Sequence, residues 1–299
     1  MSMAGMRYTL ISAARNEEAN IERVIRSVLN QSVLPVKWVI VSDGSTDRTE
    51  EIVSGYSAEY GFIELVRLQK AERPAGFASK VGAIGEGCKR LDGFDYELIG
   101  NIDADLSFES HYFETLIEKF ENPKLGIAGG FIYENYRGHF ESRPSNRPYS
   151  VAGGIQMFRR ECFDAIGGLS PVVVGGEDWL AEINARMKGW EIKAFPELVV
   201  FHHKQSRKSS SLLRRALNEG MMDYLLGSHP VFETMKCLGR LNERPFIINS
   251  AVRLAAFFFL FLSGRQRAVP EAVVNYLGRE QMERVRSRVL GRRRLGRNF

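Results

Sequence analysis

Asp103-Ala104-Asp105 closes an apolar stretch, residues 96–102, and sets two carboxylates one residue apart. Where the chain turns, both can approach a hard divalent cation. Mg²⁺ or Mn²⁺ held by few carboxylates completes its shell with phosphate and water oxygens. Such a site neutralises a departing diphosphate as charge builds on it. The same residues could instead start a loop or cap a helix. Glu177-Asp178 follows glycine-rich residues 173–176 and opens a helical stretch. A carboxylate there can act as general base toward a hydroxyl, or merely favour the helix N-terminus. Asp43 lies in Ser42-Asp43-Gly44-Ser45-Thr46-Asp47 and could accept from a nucleobase or a ribose. Helix capping is its other reading, a role that fits Asp47 better. Arg15 and Glu17 share the ambiguity. His202-His203 precedes Lys204, Arg207 and Lys208. An imidazole there can bind metal and the cations a diphosphate, or the stretch is a basic surface loop.

Positioning these residues requires strands that end at one edge. Residues 8–14, 36–42, 63–68 and 96–102 read as buried strands. Helical spacing separates them: Ile21, Val24, Ile25, Val28 and Leu29, then residues 48–60, then 78–90. Asn16 is placed to cap the first helix. Alternation of this kind predicts an α/β fold with a mostly parallel sheet, its ligands beyond the carboxyl ends of the strands. The polar motifs follow strands one, two and four and should converge there. Further on, residues 125–133, 155–159, 190–195 and 199–202 read as strands and 177–188 as a helix. Residues 136–150, with Arg137, Arg143 and Arg147, read as a loop. From Ser209 the chain reads as helical.

Composition narrows the class. The chain has 299 residues, 44% hydrophobic, with a net charge of +5. Cys88, Cys162 and Cys237 form no CxxC pair and suit reduced thiols in the cytosol. The first six residues carry no secretory-signal pattern. Residues 1–203 hold 22 Lys/Arg and 29 Asp/Glu, a net of −7; residues 204–299 hold 19 and 7, a net of +12. A basic tail on an acidic domain implies an anionic partner. No HExxH, P-loop or GxSxG motif occurs, and no aromatic-basic interleaving points to nucleic acid.

In this order, the segments 12–18, 41–47, 101–105, 153–160, 176–178 and 201–203 resemble the family-two glycosyltransferases of the GT-A fold. The resemblance covers about residues 7–205. It implies a GT-A (Rossmann-like) domain over residues 1–208 and a helical, basic extension over 209–299. It implies an inverting, metal-dependent transfer from a UDP-, GDP- or dTDP-sugar to a glycan or lipid-linked acceptor. By position, Ala13, Arg15, Glu17, Asp43, Lys80 and Asp103 would line the donor site, with Lys204 and Arg207 beside it. Asp105, Asp103 and His202, or alternatively His203, would hold Mn²⁺ or Mg²⁺. Asp178 would be the base, with Glu177 next to it. The Gln/Arg-x-x-Arg-Trp motif of processive synthases is absent, which favours single addition. Polyprenol-phosphate sugar synthases often carry Gln where Ser107 stands; they remain the alternative within the family. A nucleotidyltransferase would want a basic glycine-rich loop where Arg15-Asn16-Glu17-Glu18 stands, and a non-catalytic sugar-nucleotide binder would not need Glu177-Asp178. Residues 224–230 and 242–245 resemble a bacterial subset linked to cell-surface polysaccharides.

Residues 254–262 are the most apolar run; extended back to Phe246 it takes in Asn249 and Arg253, and Arg240, Arg244, Arg265 and Arg267 flank it. A bilayer span needs ~20 apolar residues. The run suits a helix lying in an anionic membrane interface, which would place the protein at the inner face of the cell membrane. Packing on the catalytic domain or on a second subunit, giving a homodimer, is the alternative.

Overall fold

The computed structural model describes residues 5–69, 77–136, 138–172, 175–204, 212–240 and 247–289. The chain divides into two compact units, Met1–Gln205 and Ser206–Phe299.

The first unit is built on a mixed sheet. Strands β1 (Tyr8–Ala14), β2 (Lys37–Ser42), β3 (Ile63–Arg67) and β4 (Leu98–Ile102) are parallel, in the order β3-β2-β1-β4. Helices α1 (Ile21–Leu29), α2 (Thr49–Glu59) and α3 (Phe77–Cys88) connect them. Both faces of this half are covered, so β1 and β4 are buried along nearly their whole length rather than at alternate residues. Trp38 is fully buried at the centre, with its indole N–H donating to Ser12 Oγ at 3.1 Å.

Beyond β4 the direction changes. The remaining strands are β5 (Leu106–Phe108), β6 (Leu125–Tyr136), β7 (His139–Ser142), β8 (Ile155–Arg159) and β9 (Glu191–His202). They continue the sheet as β4-β8-β6-β9-β5, and β7 pairs with β6. The pairs β4–β8, β8–β6, β9–β5 and β6–β7 are antiparallel, whereas β6–β9 is parallel. Helices α4 (Tyr112–Lys119), α5 (Arg160–Ala165) and α6 (Glu177–Met187) complete this half.

Several expectations need correction. Asn16 does not cap α1, which starts at Ile21; it has a φ of 54° and its side chain accepts from Thr46 N–H at 2.8 Å, tying the loops after β1 and β2 together. Asp47 accepts from the backbone N–H of Thr49 at the start of α2. The Asp103-Ala104-Asp105 motif caps no helix; an edge strand, residues 106–108, follows it. The expected loop 136–150 contains β7, a hairpin partner of β6. The two short strands expected near 190 and 199 are one strand, β9, with an irregularity opposite Gly130 and Phe131.

The second unit consists of α7 (Leu212–Leu225), α8 (Pro230–Leu238), α9 (Ile248–Leu262) and α10 (Glu271–Val289) among the described residues. No helix of the described residues is long and apolar enough to cross a membrane. All three cysteines are free.

Candidate active site

The ends of β1, β2 and β4 carry Ala13, Arg15, Glu17, Asp43 and Asp103 to one edge, as parallel strands must. Asp43 accepts a hydrogen bond from Ser79 Oγ on α3. The next residue on α3, Lys80, donates to Asp103 Oδ1 at 2.6 Å. One helical turn thus reaches both strand-end carboxylates. Burial works against the Lys80 charge, but the Asp103 carboxylate outweighs it and raises the lysine's pKa. Burial likewise opposes the Asp103 charge, and Lys80 still holds that carboxyl below its usual range. Glu17 is paired with Lys204. Arg15 is exposed, and Arg207 lies outside the described residues.

Asp105 leads into β5, which pairs with the end of β9 in the register Leu106 opposite His202. At this end of the pairing His202 Nε2 lies 3.2 Å from Asp105 Oδ2. His203 lies on Ser107 Oγ at 2.7 Å and against the Phe140 ring. The hydrogen bond to Asp105 raises the His202 pKa, while burial lowers that of His203. Of the histidine doublet, His202 is therefore the member beside the carboxylate pair.

The fit to a divalent cation is specific. Asp105 is buried, and its Oδ1 has no hydrogen-bond partner. A buried carboxylate oxygen without a partner is costly unless something cationic completes it. No group of three His, Cys, Asp or Glu side chains stands ready to hold a metal among the described residues. Asp103, expected in that group, is bound by Lys80 through Oδ1. The residues present fit a cation with two protein ligands, Asp105 and His202, and the rest of its shell from phosphate and water.

Across the site, α6 opens with Glu177-Asp178. Asp178 Oδ2 accepts from Gly153 N–H at 2.9 Å and Oδ1 from Trp179 N–H at 2.8 Å, which fixes the carboxylate's orientation. Glu177 is buried and its Oε2 has no partner; burial raises its pKa.

A two-residue glycine step joins the two carboxylates. A Cβ at Gly153 would come within 2.8 Å of Asp178 Cβ, and one at Gly154 within 2.4 Å of Asp103 Oδ2. Only glycine lets the backbone pass this close. Two buried amides hold the step. Asn101 on β4 and Gln156 on β8 are cross-strand partners. Asn101 donates to the Gly153 carbonyl at 2.5 Å, and Gln156 donates to the carbonyls of Val151 at 3.2 Å and Asp178 at 3.3 Å. Glu182, one turn beyond Asp178 on α6, accepts from Val151 N–H at 2.5 Å.

Asn101 and Gln156 fall within the matched segments 101–105 and 153–160, but the sequence assigned them no role. Glu182 is marked in the sequence only as an acid at the i+4 position from Asp178. Ser107 stood out only as a departure from the polyprenol-phosphate synthases, and Ser79 offered no signal.

The family-two glycosyl transferase model matches residues 9–176. The chain belongs to glycosyl transferase family 2. The match contains the β1, β2 and β4 motifs and ends one residue before Glu177. Among similar family members is a poly-β-1,6-N-acetyl-D-glucosamine synthase of Staphylococcus epidermidis, 29% identical over 123 residues, 41% of this chain and 27% of that protein. Another is a β-monoglucosyldiacylglycerol synthase of Synechocystis sp., 26% identical over 205 residues, 61% of this chain and 41% of that protein. The chain therefore spans well under half the length of these relatives. In fold it is similar to the mannosyltransferase PcManGT of Pyrobaculum calidifontis, solved with GDP-Man and Mn²⁺: TM-score 0.58, 16% identity, covering 96% of this chain and 88% of that one. It is also similar to S. aureus TarS solved with UDP-GlcNAc: TM-score 0.54, 15% identity, covering 86% and 73%.

Proposed function

We propose that this family 2 glycosyl transferase is an inverting, metal-dependent enzyme that moves one sugar from a UDP-, GDP- or dTDP-sugar to a glycan or lipid-linked acceptor. Its setting would be cell-surface polysaccharide synthesis at the inner face of the membrane. The observation that carries the reading is the glycine step: Gly153 bonds to Asp178 while Gly154 lies against Asp103. A donor carboxylate and a candidate base thereby flank one short backbone segment.

In this reading Asp178 accepts the proton of the acceptor hydroxyl. The hydroxyl oxygen forms its bond to the anomeric carbon as the bond from that carbon to the donor phosphate breaks, and the electron pair leaves with the nucleoside diphosphate. Attack opposite the leaving group inverts the configuration. The two backbone N–H groups on Asp178 keep the carboxylate aimed before the acceptor arrives. Asp43 and Asp103 would meet the nucleoside, and Lys80, in contact with Asp103, would balance charge at the donor. A divalent cation held by Asp105 and His202 would supply neutralisation of the leaving diphosphate.

The relatives named for polysaccharide and glycolipid synthesis support the acceptor class, and the basic C-terminal unit supports an anionic membrane setting. The test is a donor panel of UDP-, GDP- and dTDP-sugars, each with Mn²⁺, Mg²⁺ or EDTA, read as nucleoside diphosphate release. Release from one donor that stops with EDTA is expected. Release from none with any cation would overturn the reading.

A further inference from the structure

Helix α9 is apolar on two faces: it buries Ala256, Phe257 and Leu260 and also exposes large apolar side chains. The one charged residue of this apolar helix, Arg253, is buried. Its guanidinium reaches Glu219 at 2.6 Å and Asp223 on α7, and Glu233 on α8 at 3.0 Å. Lys236 joins the same cluster, 3.1 Å from Asp223. The opposite face of α9 is apolar and open. Ile248, Ala251, Ala255, Phe259 and Leu262 are all exposed at spacings of three and four residues, which places them on one face. Phe259 is 72% exposed and Leu262 81%. On α7, Leu213 and Leu217 are exposed as well. An apolar face this exposed is arranged for a surrounding less polar than water.

We infer that the Ile248–Ala251–Ala255–Phe259–Leu262 face of α9 is the surface that docks on an anionic lipid bilayer. The inference deepens the membrane setting proposed above by naming the residues that make it. The helix has 15 residues, about 22 Å at 1.5 Å per residue, too short for a hydrocarbon core of about 30 Å. It lies in the interface plane. Charge selects the occupant. Residues 206–299 hold 18 Lys/Arg against 7 Asp/Glu, and three of those acids are engaged by Arg253 and Lys236. Outside that cluster the described residues of this unit hold nine Lys/Arg against three Asp/Glu, with Arg265 exposed just past the end of α9. Anionic headgroups complement such a surface, whereas a second copy carries the same charge and is repelled. Arg253 plays no part in headgroup binding, because its carboxylate partners hold it inward.

The test is flotation of the full chain with vesicles of phosphatidylcholine alone or with 30% phosphatidylglycerol (about one lipid charge in three, enough for a strong surface potential). Wild type should float with the anionic vesicles and be released by high salt. The Phe259→Ser/Leu262→Ser double variant should partition about tenfold less. A Phe259→Trp variant should gain fluorescence quenched by brominated lipid relative to wild type, which holds even where the double variant is poorly folded. Equal flotation of wild type and double variant, no flotation of wild type, or no added quenching overturns the inference. So does a double variant that instead converts a dimer to a monomer in sedimentation, which would assign the face to a second copy. Nucleoside diphosphate release without vesicles reads the transfer reaction separately, so its failure and the failure of docking are distinguishable.

Discussion

His202 Nε2 stands 3.2 Å from Asp105 Oδ2 where the pairing of β5 with β9 ends, at Leu106 opposite His202. The neighbouring His203 lies on Ser107 Oγ instead, at 2.7 Å. A histidine doublet that is ambiguous in sequence thus becomes two residues with different surroundings.

The first prediction follows. His202→Ala should weaken Mn²⁺ binding in the presence of the donor by about tenfold or more, while His203→Ala should change it far less. Calorimetric Mn²⁺ titration of both variants checks this. Equal effects, or a larger one at His203, would contradict the two-ligand site.

Gln156→Leu removes the donor amide that holds the carbonyls of Val151 and Asp178. Leaving those carbonyls unpaired should cost about 1–3 kcal/mol of stability, measured by urea unfolding. Because the glycine step and Asp178 lose their brace, kcat should fall about tenfold or more, with a smaller change in donor KM.

Glu182 gives a pH dependence. Burial pushes its carboxyl up to about 8, against the nearby Arg186. Between the ordinary carboxylate range and pH 8 the folded state keeps the proton and the unfolded state has lost it. This contribution to stability is therefore full at low pH and is lost as pH rises through that window. Glu182→Gln keeps an oxygen for Val151 N–H and cannot ionise. It should flatten the decline of stability from pH 5 to pH 8, measured by thermal melts across that range. An unchanged pH profile would contradict a neutral Glu182.

Much of the first half of the fold was legible because buried parallel strands read as unbroken apolar runs: Leu10 and Ile11 on β1, and Trp38–Val41 on β2. The acids at their ends converge for the same topological reason. Other features depend on partners distant in sequence. Lys80 and Asp103 meet only because α3 packs on β1 and β2, and nothing local to either residue announces the pair. β7 is exposed and polar and carries no alternation to reveal it. Three-residue β5 is too short for a periodic signal and exists because β9 lies beside it. Arg253 read as an interruption of an apolar helix, since nothing local announces Glu219, Asp223 and Glu233 around it.

The central claim is that Asp178 is the base of a sugar transfer, and the most direct measurement is donor binding and turnover by Asp178→Asn. Asparagine keeps the size of the side chain and can still accept from Gly153 N–H, but it cannot take a proton. Donor affinity should stay within about twofold of wild type, while kcat for transfer should fall by about 10²–10⁴. Transfer at the wild-type rate, with the donor bound as before, would contradict the account.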